Sequence, residues 1–66
     1  MTVTVNGRDA ELKAGETVAE LLARLGLEGR YALVERNGEP VPRERYGDLE
    51  LANGDRLVVA RPVAGG

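Results

Sequence analysis

The residues best suited to chemistry are the last four, Val63-Ala64-Gly65-Gly66, which follow Pro62 and carry no charged or bulky side chain. Glycine lets one backbone approach another closely. Such a segment can thread into a narrow cleft and present the α-carboxylate of Gly66 there. A carboxylate is unreactive until activated, and adenylation by ATP would turn it into an acyl phosphate anhydride open to a nucleophile. On this reading Gly66 is the attachment point, while Gly65, Ala64 and Val63 give access. The hard chemistry then belongs to partner proteins.

The rest of the inventory agrees by what it lacks. Cysteine and histidine are both absent from the 66 residues. Without cysteine there is no disulfide framework, thiolate zinc site, iron–sulfur cluster or thiol nucleophile. Without histidine the commonest general base and the commonest metal ligand are missing. The Asp, Glu and Arg residues show no metal spacing, no paired carboxylates and no glycine-rich phosphate loop. No catalytic residue, metal site or bound cofactor is therefore expected, and the chain is not expected to be an enzyme.

Nine basic residues face eleven acidic ones, a formal net charge of −2, and the two signs are interspersed. Neither a phosphate-tracking stripe nor an aromatic stacking platform is visible, so nucleic acid is not an expected partner. Apolar runs are too short to span a membrane, and Met1 to Val5 carries no secretory leader. The expected compartment is the cytoplasm.

The elements that must position the tail can be read from pattern. Thr2 to Asn6 alternates, with Val3 and Val5 inward. Asn6-Gly7 is a strong hairpin signal, because both residues accept φ > 0. The return strand, Arg8 to Lys13, turns Ala10 and Leu12 inward. Thr17 and Glu20 form a capping box, and Val18, Leu21, Leu22 and Leu25 make one apolar helical stripe. Glu20 and Arg24 are spaced to pair on the wet face. Gly26 and Leu27 suit the helix end. A third strand, Tyr31 to Arg36, puts Ala32 and Val34 inward, and Asn37-Gly38 is a second turn. Pro42 is expected to open a short helical turn, Arg43 to Tyr46, with Tyr46 folded back as a lid on the core. Leu49 and Leu51 suit a short edge strand, with Asp48, Glu50 and Asp55 as its solvated charges. After Asn53-Gly54-Asp55 the last strand runs from about Arg56 to Arg61.

A short helix needs a sheet to cover its stripe. The order hairpin, helix, strand, short strand, strand is therefore expected to give an α+β fold. This is the ubiquitin-like β-grasp, a mixed sheet of four to five strands on one main helix, with the first and last long strands parallel at its centre. Residues 1–62 form the domain and 63–66 a flexible tail. If Ala32, Val34, Leu57 and Val59 face the helix, then Leu33, Val58 and Ala60 face outward on neighbouring strands. They are expected to form an apolar docking patch beside the tail.

Several segments resemble one family. Asn37-Gly38-Glu39-Pro40-Val41-Pro42-Arg43 resembles the N-G-E-x-V-P-R segment of the thiamine-biosynthesis sulfur carrier proteins (ThiS), and Tyr46 stands where that family has an aromatic. Asn53-Gly54-Asp55-Arg56-Leu57 resembles its D-G-D-x-[IL] turn, with Asn53 in place of an acidic residue. Ala14-Gly15-Glu16-Thr17-Val18 resembles its helix entry, and the terminal Gly-Gly agrees. The resemblance implies adenylation of Gly66 by an E1-like adenylyltransferase using Mg-ATP. A cysteine desulfurase or other sulfur donor would supply sulfur to form a thiocarboxylate, and thiazole synthase would accept it. The tail alone is equally similar to that of the molybdopterin-synthase small subunit. A tRNA-thiolation carrier and a ubiquitin-like conjugation module are the other readings.

Overall fold

Alternation breaks at Asn6-Gly7 and at Asn37-Gly38, and at both the chain reverses. Asn6 and Asn37 both take φ 52°, followed by Gly7 at 82° and Gly38 at 86°. Two consecutive left-handed residues give a tight turn whose twist matches that of the flanking strands. The computed structural model describes residues 1–29 and 31–61.

Strand β1 is Thr2–Val5 and β2 is Arg8–Glu11. Helix α1 spans Val18–Arg24. Strand β3 is Leu33–Arg36, β4 is Glu39–Pro40 and β5 is Arg56–Ala60. The sheet order is β2-β1-β5-β3-β4. β1 and β5 are parallel, with Val5 opposite Leu57, and the other pairs are antiparallel. This is the β-grasp arrangement, with five strands.

Local signals fix the helix ends. The Thr17 hydroxyl accepts from the Glu20 N–H at 3.2 Å, and Glu20 Oε1 accepts from the Thr17 N–H at 2.9 Å. At the other end Leu27 N–H donates to the Leu22 carbonyl and Gly26 N–H to that of Ala23, with Gly26 at φ 72°. That paired closure satisfies carbonyls the helix leaves free. The remaining helix-start donors are met from outside: Val18 N–H donates to the Leu49 carbonyl and Ala19 N–H to that of Tyr46.

Val18, Leu21 and Leu22 are buried against Val3, Val5, Leu57 and Val59 of the sheet. Leu21 is fully buried; truncating such a residue to Ala typically costs about 2–5 kcal/mol. Leu25 is the member of the stripe that departs, at 37% exposure. It sits at the C-cap, where the chain has begun to leave the helix.

Four further expectations are corrected. Glu20 does not pair with Arg24, because its carboxylate is engaged in the capping box; Arg24 reaches back to the buried Glu16 instead, at 2.8 Å. Leu49 and Leu51 form no strand. A single bridge, Thr17 to Glu50, is what that segment contributes, since it must turn to cap the helix. Asp55 is not a solvated edge charge but is buried, with Arg36 Nε donating to it at 2.9 Å. Pro42 precedes the helical turn rather than opening it, at ψ 139°, and the turn is a 3-10 turn over Arg43–Arg45.

Candidate functional site

β5 is the last described strand, so its register decides which side chains share the outer face at its end. Leu33 stands opposite Ala60, and Glu35 opposite Val58. Alternation puts Val34, Leu57 and Val59 into the core and leaves Leu33 at 56% and Val58 at 53% exposure. Ala60 is exposed on the same face. The three residues of the expected patch are thus brought together, and Pro40 and Tyr46 border the shallow groove beside them. Val63, Ala64, Gly65 and Gly66, and the division at residue 62, lie outside the described residues.

Tyr46 does more than cover the core. Its hydroxyl accepts from the Val34 N–H at 3.1 Å and donates to the Ala32 carbonyl at 3.2 Å. Those two groups flank Leu33, so one phenol holds the backbone on both sides of the residue that faces outward. Arg43 Nη2 also donates to the Ala32 carbonyl, at 3.3 Å. Spacing predicted the position of the Tyr46 ring but gave no signal for its hydroxyl, because the partners lie twelve and fourteen residues away.

Two buried carboxylates brace the frame. Arg24 donates to both oxygens of Glu16, and the Lys13 N–H donates to Oε1 at 2.9 Å. The Arg24 hydrogen bond outweighs desolvation and, with the Lys13 contact, lowers the Glu16 pKa to about 2. At Asp55, burial pushes the pKa up. Hydrogen bonds from Arg36, the Ala52 N–H and the Asn37 amide together outweigh it, leaving the net shift downward. Both groups therefore stay ionised at neutral pH and serve as acceptors. Among the described residues neither carboxylate bonds to Leu33, Val58 or Ala60.

The end of β5 is held from two sides. Asn6 Nδ2 donates to the Val59 carbonyl at 3.1 Å, and Asn6 Oδ1 accepts from the Val59 N–H at 2.8 Å. Arg61 Nη1 donates to the Gly26 carbonyl at 3.4 Å. The sequence marked Asn6 as a turn residue; its reach to β5 was not foreseen. Among the described residues no group of three or more acidic side chains is arranged to hold a metal ion, and no helix is long and apolar enough to cross a membrane.

Comparison with known proteins gives matches along the whole chain. The model of the ThiS family matches residues 3–66. A sulfur carrier protein ThiS of Bacillus subtilis is 38% identical over 63 residues, covering 94% of this chain and 96% of that protein. A thiazole synthase of Paramagnetospirillum magneticum is 36% identical over all 66 residues, but the chain spans only 20% of its length. Among solved structures, the thiamine biosynthesis protein ThiS of Geobacter metallireducens superposes with a TM-score of 0.80 at 33% identity, each chain fully covered.

Proposed function

This chain belongs to the ThiS family, and from that premise we propose that it carries sulfur on Gly66 for thiazole formation in thiamine biosynthesis. The observation that carries the proposal is the extent of the family match, which runs through the fold and on to Gly66. The relatives named thiazole synthase support the same pathway, because they contain a region similar to this chain within a longer protein. No comparable support attaches to the molybdopterin, tRNA-thiolation or conjugation readings.

The chemistry proceeds on the terminal carboxylate. Its oxygen attacks the α-phosphate of Mg-ATP on an E1-like partner, pyrophosphate leaves, and Gly66 becomes an acyl adenylate. The terminal sulfur of a persulfide, supplied by a cysteine desulfurase or another donor, attacks the acyl carbon and expels AMP. A partner thiol then cleaves the sulfur–sulfur bond, forming a disulfide and releasing the Gly66 thiocarboxylate. Thiazole synthase accepts that sulfur. The chain itself contributes a docking face, Leu33, Val58 and Ala60, and a narrow lead of Val63, Ala64 and Gly65. It acts as a group carrier, not as a catalyst.

Intact-mass spectrometry tests this. Incubation with ATP, the E1-like partner and a sulfur donor should add about 16 Da, one oxygen exchanged for one sulfur. No gain with any activating partner sinks the proposal, and a protein-sized adduct on another protein's lysine would favour conjugation. Deleting Gly66 should abolish the gain.

A further inference from the structure

β1 ends before β5 does, and the unmatched length of β5 leads to the tail. The backbone ladder between them runs from Thr4 N–H to the Asp55 carbonyl, at 3.0 Å, and from Asn6 N–H to the Leu57 carbonyl, at 2.9 Å. At Asn6 the chain turns away into the hairpin, at φ 52°. The next rung on β5 is Val59, whose N–H and C=O both point toward a strand that is no longer there. The Asn6 carboxamide takes that place. It donates to the Val59 carbonyl and accepts from the Val59 N–H, as a peptide group of a longer β1 would.

We propose that Asn6 is a positioning residue for the transfer at Gly66. Its side-chain amide extends the sheet by one rung past the end of β1. It thereby holds the backbone of β5 at Val59, two residues before Arg61 and seven before Gly66. The inference rests on the carrier reading above and deepens it by naming a residue that aims the tail.

Residue chemistry makes Asn specific here. Asp keeps the acceptor but has no donor for the Val59 carbonyl, and its charge repels that oxygen. Gly adopts the same left-handed turn without strain but leaves both Val59 groups to water. Gln carries one more methylene and overshoots. On the other side of β5, β3 pairs with Ala60 through Leu33, and Arg61 reaches the Gly26 carbonyl. The strand is gripped on both edges near its end, through Val59, Ala60 and Arg61.

Docking through Leu33, Val58 and Ala60 does not involve Asn6. Losing the amide should therefore leave KM for the carrier within about twofold. A misaimed tail should lower kcat about tenfold, modest beside the hundredfold that an ångström of misplacement can cost.

The test compares wild type, Asn6→Gly and Asn6→Asp, each shown to be folded. Two readouts are needed: amide hydrogen exchange of the free chain, and the rate of the mass gain with the activating partner, Mg-ATP and a sulfur donor. In Asn6→Gly the Val59 N–H should lose protection while the amide at position 6, still bonded to the Leu57 carbonyl, keeps it, and kcat should fall with KM held. Asn6→Asp retains the acceptor for the Val59 N–H and loses only the donor to the Val59 carbonyl, so its Val59 protection should stay near wild type while its kcat falls between; that fall in kcat carries the test should Asn6→Gly not fold. Unchanged Val59 protection in Asn6→Gly overturns the inference, and so does wild-type kcat in either variant. A wild-type chain that never gains the mass overturns the carrier reading and this inference together.

Discussion

The Asn6-Gly7 and Asn37-Gly38 turns share a backbone and part company in what their side chains do. Both asparagines sit at φ 52°, and both grip β5, one at each end. Asn37 Oδ1 accepts from the N–H of Arg56 at 2.9 Å, and the Asn37 N–H donates to the Arg56 carbonyl at 2.7 Å. Its Nδ2 also donates to Asp55 Oδ1, which ties the start of β5 into a buried cluster with Arg36 and the Ala52 N–H. Asn6 grips the far end with its carboxamide on Val59 and its own N–H on the Leu57 carbonyl. The same dipeptide thus anchors the strand at one end through a charged network and guides it at the other through neutral hydrogen bonds. Stability is invested where the strand enters the fold, and orientation where it leaves.

The largest effect expected on this contrast comes from Asp55→Ala. It strips an acceptor from Arg36, Asn37 and the Ala52 N–H at once. Removing one partner of a buried pair typically costs about 3–5 kcal/mol, and the half-exposed Arg36 puts this site near the lower figure. Urea denaturation should show it, and a loss below that of Asn6→Gly would break the comparison.

Acid should separate the two ends next. The Asp55 pKa is lowered from 3.8 by folding. Its stabilisation is therefore complete above the unfolded value and is lost as pH falls through the lower folded one. Glu16 has the same sign, its contribution fading between 4.5 and about 2. Among the described residues no titratable group bonds to the Asn6 amide. Hydrogen exchange followed downward from pH 5 should therefore show the Arg56 N–H losing protection before the Val59 N–H does. The reverse order would mean that the charged cluster is not what holds the first end.

Asn37→Gly and Asn6→Gly should then cost smaller amounts, since glycine tolerates the turn: about 2 kcal/mol for Asn37, which loses a bond to the ionised Asp55, and about 1 kcal/mol for Asn6, whose lost bonds are neutral. Their functional effects should run the other way: thermal unfolding moves more in Asn37→Gly, while the rate of mass gain falls in Asn6→Gly alone.

The smallest stability change belongs to Leu33→Asp, within about 0.5 kcal/mol for an exposed position. The charge should nonetheless weaken capture by the activating partner, read as a raised KM. A collapse of thermal stability instead would place Leu33 in the core and remove the docking face from the argument.

What the sequence alone determined is everything set by near neighbours. The turns at Asn6-Gly7 and Asn37-Gly38, the Thr17–Glu20 capping box, the closure at Gly26 and Leu27, and the alternation that sends Leu33, Val58 and Ala60 outward follow from contacts a few residues apart. The parallel pairing of β1 with β5 followed almost as directly, because one short helix leaves few other ways to bury both apolar faces. Tertiary structure alone decided the polar assignments. Glu16 and Asp55 look like surface charges until Arg24, eight residues on, and Arg36, nineteen back, arrive to pair with them. The Tyr46 hydroxyl finds its partners across the fold, and Asn6 reaches Val59 over 53 residues. The physical reason is range. Apolar burial is non-directional and leaves a periodic trace in the chain, whereas a hydrogen bond needs a particular partner at a particular angle. Only the finished packing of strands and helix supplies that partner.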